Sequence, residues 1–498
     1  MRIADGVFWK AAWDPDKLAM RMEEEYWSYG RLAAAAAQYG RAFRQLGGQP
    51  GDVVALHLDN SPLYLALFLG LAHAGFVVAP LNPRLPEMES EAMVQHIQPW
   101  RIVHETDGRP VVDIHLPGQV PSSHAVLLDA LCQGVSSDWD GLDDGLSDTD
   151  LFYLGCSSGT TGQPKGVLRT HKSWTESFFG MTLEFGMNSD TTLLVPGPFC
   201  YSASLIAALH ALFIGGTVWL QRRFDAATVA NHLASGDIQA VFMVPAMYRS
   251  VLDATIPLQR PAGIHPITCV SAGDKLPPSL QQAWLAAFPK TRWVEYFGSS
   301  EVGFISVMSS ASPSPDAVGR PFFPARVRVA GTEIQVKSGM GFSGYTRESA
   351  ALLASVQRPQ GYLASGDCGY LDADGILHLT GRMTDLIICG GVNIHPAEIE
   401  QVAQSHPAVR EACAVGLPDA RLGEVPVCVV VLHPAHSASL TERWNELQAF
   451  LQPRLAGYKR PRQLHLWPEL PRNASGKLDR RAVRAALLAA WSESGRDG

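Results

Sequence analysis

The stretch that decides the fold is "SSGTTGQPKGV", which runs from Ser157 to Val167 and follows a short apolar segment, "LFYL". Glycines allow the backbone to turn its N–H groups inward, hydroxyl side chains add donors, and Lys165 supplies a movable positive charge. This chemistry predicts a cradle for polyphosphate. The spelling differs from a P-loop, because Gly166 follows the lysine where that motif has the serine or threonine that binds magnesium. By composition alone, a flexible surface turn explains the run equally well.

Length and composition describe a large, compact, enzyme-like chain. Its 498 residues and 53.9 kDa exceed what one hydrophobic core usually supports, so we expect two or more domains. With 46% hydrophobic and 18% charged residues, the composition is typical of a folded protein and not of a disordered one. A formal net charge of -8 and a pI near 6.1 argue against nucleic-acid binding, which usually needs a basic surface.

The cysteines and the most apolar segment both favour a cytoplasmic, non-membrane chain. The eight cysteines form no CxxC pair and no zinc-spaced cluster, which predicts reduced thiols. We expect no signal peptide, because the first residues lack an apolar core followed by a small-residue cleavage site. The apolar stretch Leu63–Pro80 is interrupted by His73 and Gly75, so it predicts a buried helix followed by a buried strand.

Segments of strand and helix character alternate along most of the chain. The strand-like segments run into Gly, Pro or Ser clusters, as in "TTLLVPGPF", "AVFMVPAMY", "ITCVSAGDKL" and "TRWVEYFGSSEVG". Alternation of this kind predicts a parallel α/β sheet, and ligands bind at the carboxyl ends of parallel strands. The composition shifts near Arg382 to a small α+β unit. We therefore expect an N-terminal domain of parallel-sheet α/β subdomains over residues 1–383 and a small domain over 384–498.

Several motifs follow one another in a fixed order. They are "SSGTTGQPKGV", "EYFGSSEVG", "YLASGDCGYLDADGILHLTGR", "DLIICGGVNIHPAEIE" and "PRNASGKLDRR". In this order the chain resembles the adenylate-forming enzymes, a superfamily that contains acyl- and aryl-CoA ligases, peptide-synthetase adenylation domains and beetle luciferase. The resemblance covers nearly the whole chain and is closest to the acyl- and aryl-CoA ligases. It implies an α/β fold, a mobile C-terminal domain and ATP-dependent activation of a carboxylic acid.

The resemblance implies where the phosphates of ATP and the magnesium ion bind. The β- and γ-phosphates fall to residues of the opening loop, namely Ser157, Ser158, Gly159, Thr160, Thr161, Gly162 and Lys165. Mg²⁺ falls to Glu301, since this hard cation prefers carboxylate oxygen. Ser300 stands beside it where the family usually has threonine, and the hydroxyl is retained.

Other matched positions imply the adenosine site. Tyr296 corresponds to a residue that stacks on adenine, and Gly273 lies in the adenine-side loop. Asp367 can accept hydrogen bonds from both ribose hydroxyls, because an ionised carboxylate is acceptor-only. The guanidinium of Arg382 is expected to donate hydrogen bonds to the same sugar or to the α-phosphate. The segment between these two residues contains "DADG", which predicts the turn of a hairpin.

The resemblance also implies the catalytic residue of the first half-reaction. Lys477 matches the lysine that contacts the substrate carboxylate and the α-phosphate, where charge accumulates in the transition state. No general base is needed, because the attacking carboxylate is already ionised at neutral pH. In the family the C-terminal domain then rotates about a hinge residue that is usually Asp or Lys. This chain has Thr384 there, so the rearrangement is inferred less directly.

The predicted acid pocket is apolar and aromatic. Its lining residues are Phe199, Cys200, Tyr201, Phe242 and Pro245, with Met243, Val244 and Met247 beside them. Either Phe199 or Cys200 occupies the position of a family histidine, depending on which proline sets the register. No aspartate stands where amino-acid-activating relatives pair one with the α-ammonium, and an unpaired buried ammonium is costly. An aromatic or medium-length hydrophobic carboxylate is therefore the expected substrate.

The thiol acceptor is the least determined part of the prediction. CoA is expected, because the chain has no attached carrier domain, while a carrier-protein phosphopantetheine or an amine are the alternatives. Lys459 and Arg460, in "GYKRPR", either meet the phosphates of CoA or form a solvated face. A luciferase-like oxidoreductase and a non-catalytic nucleotide-binding protein are the rivals of another class. Retention of both Glu301 and Lys477 argues against the non-catalytic reading.

Overall fold

The structure is a computed structural model divided into two compact units. It describes residues 1–113, 125–143, 145–158, 164–255, 265–309, 314, 316–346, 350–390, 392–419, 421–433, 440–472 and 478–494. The larger unit comprises Met1–Arg328, Gln335–Ser365 and Ala373–Leu377. The smaller unit comprises Val329–Ile334, Gly366–Asp372 and His378–Gly498. The predicted domain boundary between residues 383 and 384 stays a prediction.

The elements alternate in type along most of the chain. The helices are α1 (Asp5–Trp13), α2 (Tyr29–Gln45), α3 (Pro62–His73), α4 (Glu87–Ile97), α5 (Leu128–Leu131), α6 (His171–Phe185), α7 (Ser202–Phe213), α8 (Ala226–Ser235), α9 (Pro245–Thr255), α10 (Pro278–Ala287), α11 (Ala350–Val356), α12 (Pro396–Gln404), α13 (Leu440–Leu451) and α14 (Arg480–Ser494). Short 3₁₀ turns occupy Pro359–Gly361, Met383–Asp385 and Gly457–Lys459.

The strands are mostly short. They are β1 (Leu18–Met22), β2 (Glu25–Ser28), β3 (Val53–His57), β4 (Val77–Pro80), β5 (Arg101–Thr106), β6 (Arg109–Asp113), β7 (Ala125–Leu127), β8 (Leu151–Ser158), β9 (Pro164–Thr170), β10 (Thr192–Val195), β11 (Thr217–Leu220), β12 (Ala240–Met243), β13 (Ile267–Ser271), β14 (Thr291–Ser299), β15 (Gly303–Met308), β16 (Ala317–Pro321), β17 (Arg326–Ala330), β18 (Glu333–Lys337), β19 (Gly344–Tyr345), β20 (Gln357–Arg358), β21 (Tyr362–Leu371), β22 (Leu377–Arg382), β23 (Ile387–Cys389), β24 (Val392–Ile394), β25 (Val409–Asp419), β26 (Gly423–Leu432) and β27 (Gln463–Leu466).

One sheet of the larger unit carries the opening loop. Its strand order is β19-β9-β8-β4-β3-β5-β6-β7. The central pairs β4–β8, β3–β4 and β3–β5 are parallel, whereas β8–β9 and β9–β19 are antiparallel. Parallel strands inside a covered sheet are apolar on both faces, and β4 is buried at every position. The antiparallel β8–β9 pair therefore lies between the parallel strands and the short edge strand β19.

A second sheet of the larger unit contains the predicted parallel strands. Neighbouring strands in it follow the order β16-β15-β14-β13-β12-β10-β11-β1-β2. The pairs from β1–β11 through β13–β14 are parallel, so the strands β10 to β14 end at one edge. The sequence-based prediction of strands that end together is thus confirmed. Pro245, Gly273 and Glu301 each come two residues after the end of a strand, namely β12, β13 and β14. They therefore lie close to this edge of the sheet.

The apolar stretch Leu63–Pro80 folds as predicted. Helix α3 is buried at every residue except Leu63, Ser61 caps its N-terminus by accepting a hydrogen bond from the Tyr64 amide, and β4 follows. A Cβ added at Gly70 would lie 2.0 Å from the carbonyl oxygen of Ala36, so only glycine permits the close crossing of α2 and α3. Among the described residues, no helix is both long and apolar enough to cross a membrane.

The smaller unit is an α+β arrangement around a twisted antiparallel pair. Strands β25 and β26 pair along nearly their full length, with β23, β24 and β27 completing the sheet. Alternate residues of β25 face opposite sides, as in any strand. Ala412 packs with Ile399 and Leu447 of α12 and α13, while Cys413 packs with Val483 of α14 on the other face. Helices thus cover both faces of this small sheet.

Candidate active site

The two ends of the opening stretch lie in paired strands. Strand β8 extends to Ser158 and pairs antiparallel with β9, so that Ser157 lies opposite Lys165 and Ser158 opposite Pro164. The strand is longer than the predicted "LFYL" segment because its polar end finds a backbone partner in β9. The other predicted phosphate-binding residues of this stretch, namely Gly159, Thr160, Thr161 and Gly162, lie outside the described residues.

Tyr345 connects the predicted magnesium ligand to the predicted phosphate lysine. Its hydroxyl donates a hydrogen bond of 3.1 Å to Oε1 of Glu301. The ammonium of Lys165 lies 5.7 Å from the centroid of the same ring, within the range of a cation–π contact. This meeting follows from the sheet, because Tyr345 in β19 pairs with Val167, two residues along β9 from the lysine. One aromatic side chain therefore contacts both the Glu301 carboxylate and the Lys165 ammonium.

The segment that carries Glu301 is held by its backbone. Its carbonyl oxygen accepts a 2.7 Å hydrogen bond from the amide of Phe342. The preceding residue, Ser300, gives its carbonyl to the guanidinium of Arg169 at 2.8 Å. The Ser300 side chain is exposed, so its hydroxyl remains accessible beside the glutamate.

Arg169 is a functional-site residue that the sequence analysis missed. It is 5% exposed, and its guanidinium also donates to the Ser173 hydroxyl and to the Met340 carbonyl. Burial lowers its pKa to about 10, opposed by the nearby Tyr153 and Glu301. Within the described part of the chain it forms no ion pair with a carboxylate. Arg169 thus connects the segment that carries Glu301 to β9. In the sequence it is only an arginine within an apolar strand, which does not indicate this role.

Replacing Arg169 with methionine is expected to destabilise the larger unit. Each carbonyl left buried without its donor costs about 1–3 kcal/mol, and two carbonyls lose their partner here. We expect a lower thermal midpoint by differential scanning fluorimetry and a raised KM for Mg-ATP. Arg169→Lys, which keeps the charge but not the fork, should recover only part of the midpoint. An unchanged midpoint in Arg169→Met would contradict this structural role.

The residues around Glu301 suit a magnesium ion. The carboxylate is partly exposed, and Tyr345 engages one oxygen. Among the described residues, no lysine, arginine or histidine forms an ion pair with it, so its charge is available to a metal. Magnesium prefers oxygen ligands and usually takes one or two carboxylates together with water and phosphate oxygens. The donor set therefore fits Mg²⁺ bound together with a nucleotide.

The loop after β13, which is predicted to lie on the adenine side, contains a residue that forms an ion pair with β14. Gly273 has a φ of +90°, a conformation that favours glycine, and it follows the end of β13. Lys275 lies 3.5 Å from Glu295 and donates to the Ala317 carbonyl. Burial lowers the pKa of Lys275 and raises the pKa of Glu295, and each opposes the other's shift. The pair fixes this loop against β14.

The ring of Tyr296 lies in an aromatic cluster. It stacks on Phe185 with a centroid distance of 5.8 Å and on Phe242 at 6.3 Å, and Phe304 contacts it at 4.5 Å. Burial raises the pKa of its phenol. The ring thus packs against the interior of the sheet that carries the predicted acid pocket, and its predicted stacking on adenine stays a prediction.

The predicted ribose residues lie together in the smaller unit. Asp367 in β21 is 8% exposed and receives the Arg382 guanidinium at 3.2 Å, while the arginine side chain is 60% exposed. The two strands that carry them are neighbours joined by a turn, as the "DADG" signal predicts. Because the Arg382 side chain is mostly exposed, it can reorient toward a ligand, whereas Asp367 is held in place by burial.

The predicted hinge residue, Thr384, belongs to the smaller unit, and the predicted catalytic lysine comes from a later segment of the chain. Lys477 lies outside the described residues. Thr384 lies in a 3₁₀ turn, and its hydroxyl donates to the carboxylate of the next residue, Asp385, at 3.2 Å. Arg480 contacts Asp385 at 3.4 Å and forms a close ion pair with Glu400. The predicted hinge is therefore tied to the start of α14, although its role in domain rotation stays a prediction.

A buried asparagine holds the backbone of the segment that carries the predicted pocket residue Phe199. Asn60 receives the Phe199 amide at 2.8 Å and donates to the carbonyls of Gly197 and Gln221. Phe199 is fully buried against Tyr64 and belongs to the main core. The sequence analysis missed Asn60, whose only signal is its place directly after β3.

The two residues after Phe199 are less deeply placed. Cys200 is partly exposed, and its pKa is raised to about 12 by burial. The hydroxyl of Tyr201 receives a 3.4 Å hydrogen bond from Asn82. Of the two candidates for the family histidine position, Cys200 has the accessible side chain.

The remaining predicted pocket residues lie where β12 meets α9. Phe242 is 2% exposed inside β12, and Pro245 begins α9. Met243 and Tyr248 are fully buried in a neighbouring cluster. The predicted pocket therefore combines core side chains with residues at the strand edge, and its lining role stays a prediction.

The basic segment near residue 460 is occupied by contacts inside its own unit. Lys459 forms a close ion pair with Glu398, and Arg460 donates to the carbonyls of Leu455 and Gln452. These contacts favour the structural reading of the segment over a free phosphate-binding patch.

Comparisons with known proteins agree with this geometry. A family model described as AMP-binding enzyme matches residues 7–341, and its C-terminal domain model matches residues 398–477. An uncharacterized acyl-CoA ligase of Bacillus subtilis strain 168 is 32% identical, covering 95% of this chain and 96% of its own. A feruloyl-CoA synthase of Amycolatopsis sp is 32% identical, covering 95% of this chain and 97% of its own.

A solved structure has the same architecture. The o-succinylbenzoate coenzyme A synthetase of Bacillus subtilis, in complex with ATP and magnesium ion, matches with a TM-score of 0.80 and 26% identity. The match covers 96% of this chain and 98% of that chain. The predicted resemblance to adenylate-forming enzymes and the predicted α/β fold are confirmed, and the chain belongs to the family of AMP-binding enzymes.

Proposed function

We propose that this chain is an AMP-forming acyl-CoA ligase that prefers an aromatic or medium-length hydrophobic acid. Membership of the family confirms the predicted enzyme class, an acid–CoA ligase that uses ATP, Mg²⁺ and CoA. The observation that carries the proposal is the meeting of Glu301 and Lys165 at the Tyr345 ring, beside the phosphate-loop hairpin. A carboxylate that can bind a metal ion and an ammonium that can bind phosphate thus lie beside the same ring.

The residues divide the chemistry between two half-reactions. In the first, the substrate carboxylate attacks the α-phosphorus of ATP and pyrophosphate leaves, giving an acyl-adenylate. Lys165 and the hairpin loop hold the departing phosphates, and Lys477 neutralises charge on the α-phosphoryl oxygens. In the second, the thiol of CoA attacks the acyl carbonyl and AMP leaves.

Glu301 would hold the magnesium ion. When bound, this ion neutralises charge on the β- and γ-phosphates. Tyr345 orients the carboxylate by occupying one oxygen, and the Arg169 cross-link fixes the backbone that carries it. Asp367 and Arg382 are assigned to the ribose, where a carboxylate accepts hydroxyl hydrogen bonds and a guanidinium donates.

The acid class is argued from the pocket. Phe242, Tyr296 and Phe185 present a contiguous aromatic wall behind the strand edge, which suits a planar apolar acid. The names of two relatives, a feruloyl-CoA synthase and an o-succinylbenzoate synthetase, both denote aromatic acids. We extend that substrate class to this chain.

CoA is the proposed acceptor, and a carrier-protein phosphopantetheine is the alternative outcome. We also place the enzyme in the cytoplasm. All eight cysteines are free in the structure, which suits a reducing compartment where CoA remains a thiol.

The test is product analysis after incubation with Mg-ATP and a panel of acids, each with and without CoA. The panel contains cinnamate, benzoate, octanoate and phenylalanine. We expect pyrophosphate, AMP and an acyl-CoA from an aromatic or medium-length acid, and no product from phenylalanine.

Each other result has a defined meaning. Acyl-adenylate that accumulates untouched by CoA would replace CoA with a carrier protein or an amine. Absence of pyrophosphate release with every acid would overturn the proposed function.

A further inference from the structure

A narrow apolar gap lies behind Tyr296 and contains one polar side chain. Within the described residues, the gap is lined by Met181, Phe185, Met187, Leu193, Ala207, His210, Phe242 and Val270. Phe185 and Phe242, which line it, also stack on Tyr296. His210 is fully buried in α7 and is the polar member of this lining.

The gap lies just inside the strand edge where activation is proposed. Val270 and Phe242 are paired residues of β13 and β12, each one position before the end of its strand. Leu193 lies two positions before the end of β10, so the gap begins roughly 3–7 Å inside the edge at about 3.3 Å per residue. An acid with its carboxylate at the edge would point its far end into the gap.

The hydrogen bonds of His210 assign its tautomer. Its Nε2 lies 2.9 Å from Oγ1 of Thr182, and that hydroxyl donates its own hydrogen to the Phe178 carbonyl. The threonine oxygen must therefore accept, so Nε2 carries the proton and Nδ1 is an acceptor. Burial lowers the pKa of His210 to about 3, which keeps the ring neutral.

The second ring nitrogen is left without a partner. Among the described residues, Nδ1 of His210 is buried and accepts no hydrogen bond. The gap as it stands has no room for a water molecule, so solvent does not supply one. A buried acceptor without a donor is costly, and the cost is recovered when a ligand brings the donor.

We propose that Nδ1 of His210 accepts a hydrogen bond from a hydroxyl at the far end of the acid, so that the enzyme selects para-hydroxylated aromatic acids. The inference rests on the proposed function and names the substrate class of that site. Entry of the ring requires Phe242 or Phe185 to turn aside, because the gap is closed in the structure. The rest of the lining supplies apolar contacts to the ring.

The test compares acids that differ only at the far end. The acids are 4-hydroxycinnamate, cinnamate and 4-methoxycinnamate, whose ether oxygen accepts but does not donate. For the unaltered enzyme we expect kcat/KM for the hydroxylated acid to exceed that for the other two by about 10–100-fold, the size of effect expected when a buried acceptor is left without a donor. Calorimetric binding of the acids, without ATP, should follow the same order.

Two variants connect the preference to His210. His210→Leu should lose the preference for the hydroxyl while still activating cinnamate, and its thermal midpoint checks that it folds. Leu212→Met, a volume-conserving change on the same helix away from the gap, should keep the preference.

The outcomes separate this inference from the proposed function. Equal kcat/KM for the three acids, equal use of 4-methoxycinnamate, or a preference that survives in His210→Leu would overturn the role of Nδ1 while leaving a working ligase. No pyrophosphate release with any acid would overturn the proposed function itself.

Discussion

Replacing Lys477 with alanine is expected to slow acyl-adenylate formation by roughly 100- to 1000-fold, the size of effect seen when a transition-state charge stabiliser is removed. An anionic carboxylate attacks an anionic phosphate in that step, so the lysine charge acts where repulsion is greatest. The second half-reaction joins a thiol to an already activated carbonyl and needs no cation at that position. Thioester formation from preformed acyl-adenylate should therefore keep its normal rate.

The two half-reactions are measured separately to check this. Pyrophosphate exchange reports the first, and CoA ester formation from synthetic acyl-adenylate reports the second. Lys290→Ala, an exposed lysine at the end of a helix–strand connection, is the matched control and should leave both rates unchanged. Equal losses in both half-reactions of Lys477→Ala would remove the lysine from this specific role.

Replacing Glu301 with glutamine is expected to lower kcat/KM for Mg-ATP by about 100-fold. The amide keeps the size of the side chain and can still accept the hydrogen bond from Tyr345, but it lacks the charge that a hard cation prefers. Raising the magnesium concentration should restore part of the rate. Titration of magnesium by calorimetry in the presence of ATP measures the lost affinity directly.

Tyr345→Phe is the comparison that separates charge from orientation. It removes the 3.1 Å hydrogen bond to Glu301 and keeps the ring beside Lys165, so only a few-fold weakening of magnesium affinity is expected. A Glu301→Gln enzyme with the magnesium dependence of the unaltered protein would show that another group binds the ion.

Local pattern predicted the elements well because it depends on neighbours in the chain. The buried helix and strand of Leu63–Pro80 and the hairpin around "DADG" follow from apolar runs and turn residues. Strand ends at one edge of a parallel sheet also follow from alternation of strands and helices. Lys165, Glu301 and Asp367 became candidate site residues through the resemblance to a known family that the ordered motifs carry.

Contacts across the fold were not predictable in this way. The sequence did not indicate that Phe199 is fully buried in the core or that Tyr296 packs in an aromatic cluster, and their predicted pocket and adenine roles stay predictions. A period of two along a strand tells which residues share a face but not what lies opposite them. The role of Arg169 had no local signal, because its partners, Ser300 and Met340, lie in connecting segments far away along the chain.

The sequence by itself determined the order of the elements, the family and the types of residue at the candidate site. These depend on residue type and spacing, which a linear chain already contains. Only the tertiary structure decided that Tyr345 joins Glu301 to Lys165, that Arg169 is buried beneath them, and that one nitrogen of His210 lacks a partner. Burial and unpaired hydrogen-bonding groups arise from segments that meet only when the chain is folded, so no single stretch of sequence records them.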